Sequence, residues 1–263
     1  MEVIILKEPH QIANKCADIF EQAIIEKNNA VLGLATGSTP MLLYKELVNR
    51  YERGRLSFRN VITFNLDEYV GLSPQHSQSY SYFMQKHLFE HIDISSRNTH
   101  LPDGIAENPI YESEKYEAKI RGCGIDLQLL GLGSNGHIGF NEPTSSLGSQ
   151  TRIKTLTPQT VKDNSRFFTE GEFQPTLAIT MGIGTITSAK RIVLLAIGKK
   201  KACAIKQAIE GPLSAWCPAS ALQMHPRTTF IIDEEAASLL KMKEYYRWVY
   251  EQQQQLTQRL GMP

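Results

Sequence analysis

The chain has 263 residues, 41% of them hydrophobic, enough for one large α/β domain or two small ones and too apolar for a disordered chain. It carries 28 Lys and Arg against 27 Asp and Glu, a formal net charge of +1, so bulk charge attracts neither nucleic acid nor an anionic membrane. An anionic ligand therefore needs a local cluster of donors. No apolar run reaches the roughly 20 residues that span a bilayer. The opening residues, Met1 to Glu8, lack the basic flank and apolar stretch of a secretory signal, so a cytoplasmic protein is expected. Cys16, Cys123, Cys203 and Cys217 are scattered without a CxxC pair. They are expected to be reduced, mostly buried thiols rather than a zinc site or a disulfide framework.

In chain order, Ile12, Cys16, Ile19, Phe20, Ala23 and Ile24 recur at helical spacing and predict a helix over residues 9–28. Residues 31–35 read as a short strand, followed by Thr36-Gly37-Ser38-Thr39-Pro40. Pro40 suits the first turn of a helix, and Leu42, Leu43, Leu47 and Val48 give that helix an apolar face. A turn entering a helix offers backbone N–H groups and hydroxyls, and the helix dipole favours an anion there. No GK[ST] follows and GxGxxG is absent, so this is neither a Walker loop nor a dinucleotide fingerprint. An N-cap made by Ser38 or Thr39, without any ligand, accounts for the same residues.

Residues 61–66 read as a buried strand, and Asp67 and Glu68 fall where it stops. One carboxylate can then face a cleft while its neighbour points elsewhere. Shielded from water, such a group has a raised pKa and can act as a general base; an acidic loop start or helix cap is the alternative. A helix over residues 107–121 and a strand over 125–132 follow. The strand breaks into Gly131-Leu132-Gly133-Ser134-Asn135-Gly136-His137, with Glu142 close behind. His137 and Glu142 can form a hydrogen-bonded pair, with Asn135 holding the imidazole in one tautomer. A Gly-rich turn around a satisfied histidine is the structural alternative. No GxSxG elbow is present, which disfavours covalent acyl chemistry.

Arg166 lies amid aromatics in Asn164-Ser165-Arg166-Phe167-Phe168. Strands are expected over residues 177–181, 192–197 and 229–232, and a helix over 199–210. Lys199, Lys200 and Lys201 stand where a strand ends and that helix begins, a position unfavourable for a cation unless an anion compensates. Gln252 to Gln255 read as the end of a terminal helix. Apolar strands alternating with helices argue for an α/β fold with a mainly parallel sheet covered on both faces. The candidate motifs sit beyond carboxyl ends of strands, where such sheets bind ligands.

Taken together, LGLATGSTP at 32–40, FNLDEYVGL at 64–72, LGLGSNGHIGFNEP at 130–143, TRIKTLT at 151–157, NSRFF at 164–168 and GKKKA at 198–202 closely resemble the glucosamine-6-phosphate deaminase (isomerase) family, in family order. The resemblance implies a doubly wound, Rossmann-like sheet in a single domain over residues 1–263, with a C-terminal helical segment from about 234. It implies conversion of glucosamine 6-phosphate and water to fructose 6-phosphate and ammonia, in amino-sugar catabolism that includes N-acetylglucosamine degradation, with no cofactor and no metal. Asp67 matches the base that moves a proton between C2 and C1. His137 matches the residue that assists ring opening, with Glu142 and Asn135 as partners. Thr36, Gly37, Ser38, Thr39, Arg166 and Lys201 match the sugar-phosphate cradle. Ser145, Arg152, Lys154 and Thr155 stand where allosteric hexamers of the family bind the activator N-acetylglucosamine 6-phosphate, so activation and a homo-oligomer, a hexamer in those members, are implied; ordinary exposed strand positions are the alternative for Arg152 and Lys154.

Two other readings compete. One is a related isomerase or lactonase of the same fold, such as one acting on galactosamine 6-phosphate. The other is a non-catalytic sugar-phosphate sensor domain, against which the joint presence of Asp67, His137 and Glu142 argues.

Overall fold

The computed structural model describes residues 1–157, 161, 168, 171 and 173–260. Helix α1 (Pro9–Glu26) buries Ile12, Cys16, Ile19, Phe20 and Ile24, the stripe expected from their spacing. It covers a sheet built from β1 (Glu2–Leu6), β2 (Val31–Leu34), β3 (Ile62–Asn65), β5 (Thr99–His100), β6 (Leu127–Leu130), β9 (Arg191–Ala196) and β10 (Thr228–Asp233). Their order is β1-β10-β9-β6-β2-β3-β5, and every paired neighbour is parallel. The strands are short and nearly all buried, as a parallel sheet covered on both faces requires. The fold is the expected mainly parallel, doubly wound α/β architecture.

The remaining helices are α2 (Ser38–Glu52), α3 (Tyr80–His87), α4 (Pro109–Cys123), α5 (Ile183–Thr187), α6 (Ala202–Glu210) and α7 (Lys243–Leu260). The last runs through the glutamine tract, as its sequence suggested. Arg50 on α2 is buried and bonded to Glu21 on α1 (2.6 Å) and to Glu46 (2.9 Å), which ties the two helices together. One large apolar cluster extends from Val3 to Leu240.

A second sheet was not foreseen. Strands β4 (Asp67–Tyr69), β8 (Leu177–Thr180) and β7 (Arg152–Thr155) pair antiparallel, in the order β4-β8-β7. Thr180 therefore stands opposite Asp67 on one side and Arg152 on the other. Asp67 and Glu68 form a strand of their own rather than a loop start. The cysteines also depart from expectation: Cys16 and Cys217 are buried, but Cys123 and Cys203 are exposed on helices. Among the described residues, no helix is long and apolar enough to cross a membrane.

Sheet order reverses between β2 and β6. From β2 the chain winds outward through β3 to β5, and from β6 it winds the other way through β9 to β10. Such a switch leaves a crevice beyond the carboxyl ends of the two central strands, because their following loops depart in opposite directions.

Candidate active site

A cleft of about 320 Å³ occupies that crevice. Residues 35–40 after β2, Leu66 and Asp67 after β3, residues 131–134, His137, Gly139 and Phe140 after β6, and Lys201 after β9 all line it. Segments far apart in sequence are thus gathered by topology at one sheet edge.

The loop after β2 is held from beneath by Tyr44, whose buried hydroxyl donates to the carbonyl of Ala35 (2.5 Å). Helix α2 begins at Ser38, and its N-cap is Gly37 rather than Ser38 or Thr39. With no cap side chain over them, the first-turn amides remain available to an anion. Thr36, Gly37, Ser38 and Thr39 all line the cleft. Of the three lysines, Lys199 and Lys200 are exposed, and only Lys201 reaches the cleft. Burial lowers the Lys201 pKa, the charge of Lys200 lowers it further, and among the described residues no carboxylate acts on it. A half-dehydrated ammonium beside a helix N-terminus is a favourable setting for a phosphate. Arg166 lies outside the described residues.

Asp67 follows a strand end fixed by Tyr116, whose hydroxyl donates to the carbonyls of Asn65 (2.8 Å) and His100 (3.0 Å). Only 6% of Asp67 is exposed. Burial, reinforced by the charge of Glu68, pushes its pKa up to about 8. Strand alternation directs Glu68 away from the cleft. Its carboxylate accepts N–H bonds from Tyr69 (2.9 Å), Tyr80 (3.0 Å) and Ser81 (2.8 Å).

The loop after β6 carries the histidine. A Cβ at Gly133 would stand 2.4 Å from the His137 ring, so only glycine lets the imidazole lie against this backbone. His137 Nδ1 is 3.2 Å from Glu142 Oε1, an ion-pair distance whose direction does not make a hydrogen bond. Asn135 does not hold the imidazole, contrary to expectation. Its Nδ2 donates to Glu142 Oε2 (2.6 Å) and its Oδ1 accepts the backbone N–H of His137 (3.2 Å). Both ends of the amide are thereby engaged, so Asn135 orients the carboxylate and the loop rather than the ring.

Buried Asn141 pins this loop, donating from Nδ2 to the carbonyls of Ile138 (2.9 Å) and Met181 (2.8 Å), while the Phe140 N–H bonds Thr180 Oγ1 (3.1 Å). Gly139, at φ 55°, brings the backbone against Asp67: a Cβ there would be 3.3 Å from Asp67 Oδ2. The histidine loop and the aspartate are therefore adjacent, with little room for a side chain between them.

Ser145, Arg152, Lys154 and Thr155 do not line the cleft. Arg152, Lys154 and Thr155 belong to β7. Arg152 is half-buried with its pKa lowered by desolvation, and it donates from Nη1 to the Gln150 carbonyl (3.2 Å). The Ser145 hydroxyl is buried without a hydrogen-bond partner.

Sequence reasoning missed Tyr80 and Phe140. Both line the cleft, with their rings stacked at 6.1 Å and 5°. Helix α3 carries Tyr80, and its signal was present in Ser79, whose hydroxyl caps the N–H of Tyr82 (3.0 Å). Among the described residues, no cluster of three His, Cys, Asp or Glu converges on a metal position.

The family model described as glucosamine-6-phosphate isomerases/6-phosphogluconolactonase matches residues 8–231. The chain is 59% identical to the glucosamine-6-phosphate deaminase of Hahella chejuensis over 250 residues, covering 95% of each. It is 55% identical to the enzyme of that name from Shewanella loihica over 262 residues, covering 99% of this chain and 98% of the other. A solved structure described as a monomeric glucosamine-6-phosphate deaminase superposes with a TM-score of 0.88 at 44% identity, over 91% of this chain and 100% of that one.

Proposed function

Because the chain belongs to the family of glucosamine-6-phosphate isomerases and 6-phosphogluconolactonases, we propose that it is a glucosamine-6-phosphate deaminase, an enzyme of carbohydrate metabolism. It isomerises glucosamine 6-phosphate and deaminates it, consuming water and yielding fructose 6-phosphate and ammonia. Full-length identity to enzymes of that name supports the reaction. The observation that carries the reading of the site is the shared cleft, in which an anion cradle, a buried carboxyl and a histidine face one volume.

In this reading the phosphate binds the first-turn amides and hydroxyls of residues 36–39 together with Lys201, joined by Arg166 as the resemblance implies. Fixing the phosphate sets C1 and C2 beside the acid–base groups, and orientation of this kind supplies much of the rate. His137, backed by Glu142, takes the proton of the anomeric hydroxyl and returns one to the ring oxygen. Asn135 keeps Glu142 in place for that exchange. Asp67 then removes the C2 proton and delivers it to C1. The resulting C2 imine takes up water and releases ammonia, which balances the reaction. With its pKa near 8, Asp67 holds its proton at neutral pH before the substrate arrives. The ammonium of an arriving aminosugar favours the ionised base that the next step needs.

Ser145, Arg152, Lys154 and Thr155 form the activator site for N-acetylglucosamine 6-phosphate. The desolvated Arg152 and the unpartnered Ser145 hydroxyl support an anionic ligand there. Strand β7, which carries Arg152, Lys154 and Thr155, is separated by β8 alone from β4, which carries Asp67. The same reading makes the protein a cytoplasmic homo-oligomer, a hexamer as in the allosteric members of the family, that serves N-acetylglucosamine degradation. It takes residues 1–263 as one domain with a helical segment from about 234. Sedimentation with and without the activator tests assembly, since the 44% identical neighbour is described as monomeric.

Coupled detection of ammonia and fructose 6-phosphate from glucosamine 6-phosphate tests the reaction. Equimolar release of both is expected. Hydrolysis of a phosphogluconolactone without ammonia from the aminosugar would overturn it.

A further inference from the structure

We propose that Glu68 is a positioning residue for the reaction: its buried carboxylate clamps the N-terminus of α3, and with it the Tyr80 wall of the cleft, to the strand that carries Asp67. The carboxylate is 2% exposed, and among the described residues no cation is one of the groups acting on it. Burying an anion without a counter-charge is costly unless hydrogen bonds replace its water. Here three N–H bonds supply much of the replacement, although burial still pushes the Glu68 pKa up to about 7. Oε1 accepts from Tyr69 and Tyr80, and Oε2 accepts from Ser81.

A helix cap alone does not call for this arrangement. Ser79 already caps the N–H of Tyr82, and the Phe83 N–H bonds the Ser79 carbonyl (3.1 Å). Glu68 takes the two amides that remain, at the positive end of the helix dipole. What it thereby holds is Tyr80. The Tyr80 hydroxyl meets the Tyr69 hydroxyl at 3.1 Å, and Tyr80 lines the cleft together with Thr36 of the anion cradle. Its ring stacks on Phe140, next to Gly139, which leaves no room for a side chain beside Asp67. One carboxylate thus fixes the spacing between cradle, base and histidine loop.

The inference rests on the deaminase reading above. Among the described residues, the groups facing Asp67 that titrate are Glu68 and the phenols of Tyr80 and Tyr116. In Glu68→Gln one oxygen becomes an amide that cannot accept from Ser81, and the charge beside Asp67 disappears. We expect kcat to fall about tenfold or more, since displacement of ~1 Å costs on the order of 10²-fold, with a smaller change in KM. The acid limb of kcat/KM is expected to move down by roughly one unit or more; the substrate's amine titrates identically for both proteins. Glu68→Asp keeps the charge on a shorter arm and is expected to lose kcat without moving that limb.

Glu68→Gln within twofold of the parent at every pH, or losing kcat/KM through KM alone with an unmoved limb, would overturn the inference. Should Glu68→Gln not fold, Glu68→Asp decides: lost kcat in a folded protein supports the role, and parental kcat refutes it. A parent that releases no ammonia refutes the deaminase reading itself, whereas an active parent with indifferent variants refutes only the role of Glu68.

Discussion

Asp67 is a carboxyl buried at the edge of the cleft, and its electrostatics set its role. Its pKa rises from an ordinary 3.8 to about 8, so the native state holds the proton more tightly than the unfolded chain does. That contribution to stability is complete below roughly pH 4 and is lost as pH climbs through about 8, by an amount on the order of a few kcal/mol. Asp67→Asn removes the titration. Thermal unfolding should therefore show the variant more stable than the parent above pH 8, with the advantage shrinking toward pH 5. A difference in Tm that is the same at every pH would refute the burial argument. Asn135→Ala tests a neighbouring residue. It leaves Glu142 without its 2.6 Å donor, and should slow ring opening about tenfold or more. Single-turnover rates should then fall with closed-ring substrate and hold with an open-chain analogue; equal losses on both would place Asn135 elsewhere in the mechanism.

Among the secondary-structure elements, the loops after β2 and β6 carry the chemistry, and each is fastened to something rigid. Tyr44 fastens the first, and Asn141 with Thr180 fastens the second. Gly139 shows how little slack the second has. Alanine there would meet Thr180 Oγ1 at 2.9 Å and Asp67 Oδ2 at 3.3 Å, at a φ that side chains avoid. Gly139→Ala should destabilise the protein by about 1–3 kcal/mol in denaturant melts and reduce kcat at least tenfold. Parental activity would show that the close approach to Asp67 is dispensable. Lys201→Gln probes the cradle. Its loss should raise KM about tenfold or more while kcat changes less, because the phosphate does not react. An unchanged KM would remove Lys201 from phosphate binding.

For the molecule as a whole, the parallel sheet was legible because its buried strands and amphipathic helices carry distinct periods. The helix over Pro9–Glu26 and the strands at β2, β3, β6, β9 and β10 follow from local pattern alone. The cleft was legible in part, since Thr36, Asp67, His137 and Lys201 each follow a recognisable strand end. Their meeting was not, because it depends on the reversal of winding between β2 and β6, and no local pattern encodes strand order. The antiparallel sheet escaped for a related reason. Asp67-Glu68-Tyr69 is three residues long and acidic, and its pairing with β8 joins segments more than a hundred residues apart. Tyr80 was hidden in a short helix without a chemical motif. The apolar cluster from Val3 to Leu240 supports the one-domain reading, which predicts a single calorimetric transition; two resolved transitions would contradict it.

The most direct test follows the hydrogen at C2. Glucosamine 6-phosphate deuterated at C2, turned over in ordinary water, should yield fructose 6-phosphate with part of the label at C1, because one carboxyl carries it between the two carbons. Asp67→Asn should form no such product while still binding an amino-alditol phosphate at close to parental affinity. Turnover by Asp67→Asn above about a tenth of the parental rate would contradict the account, since loss of a positioned base costs on the order of 10²–10⁴-fold.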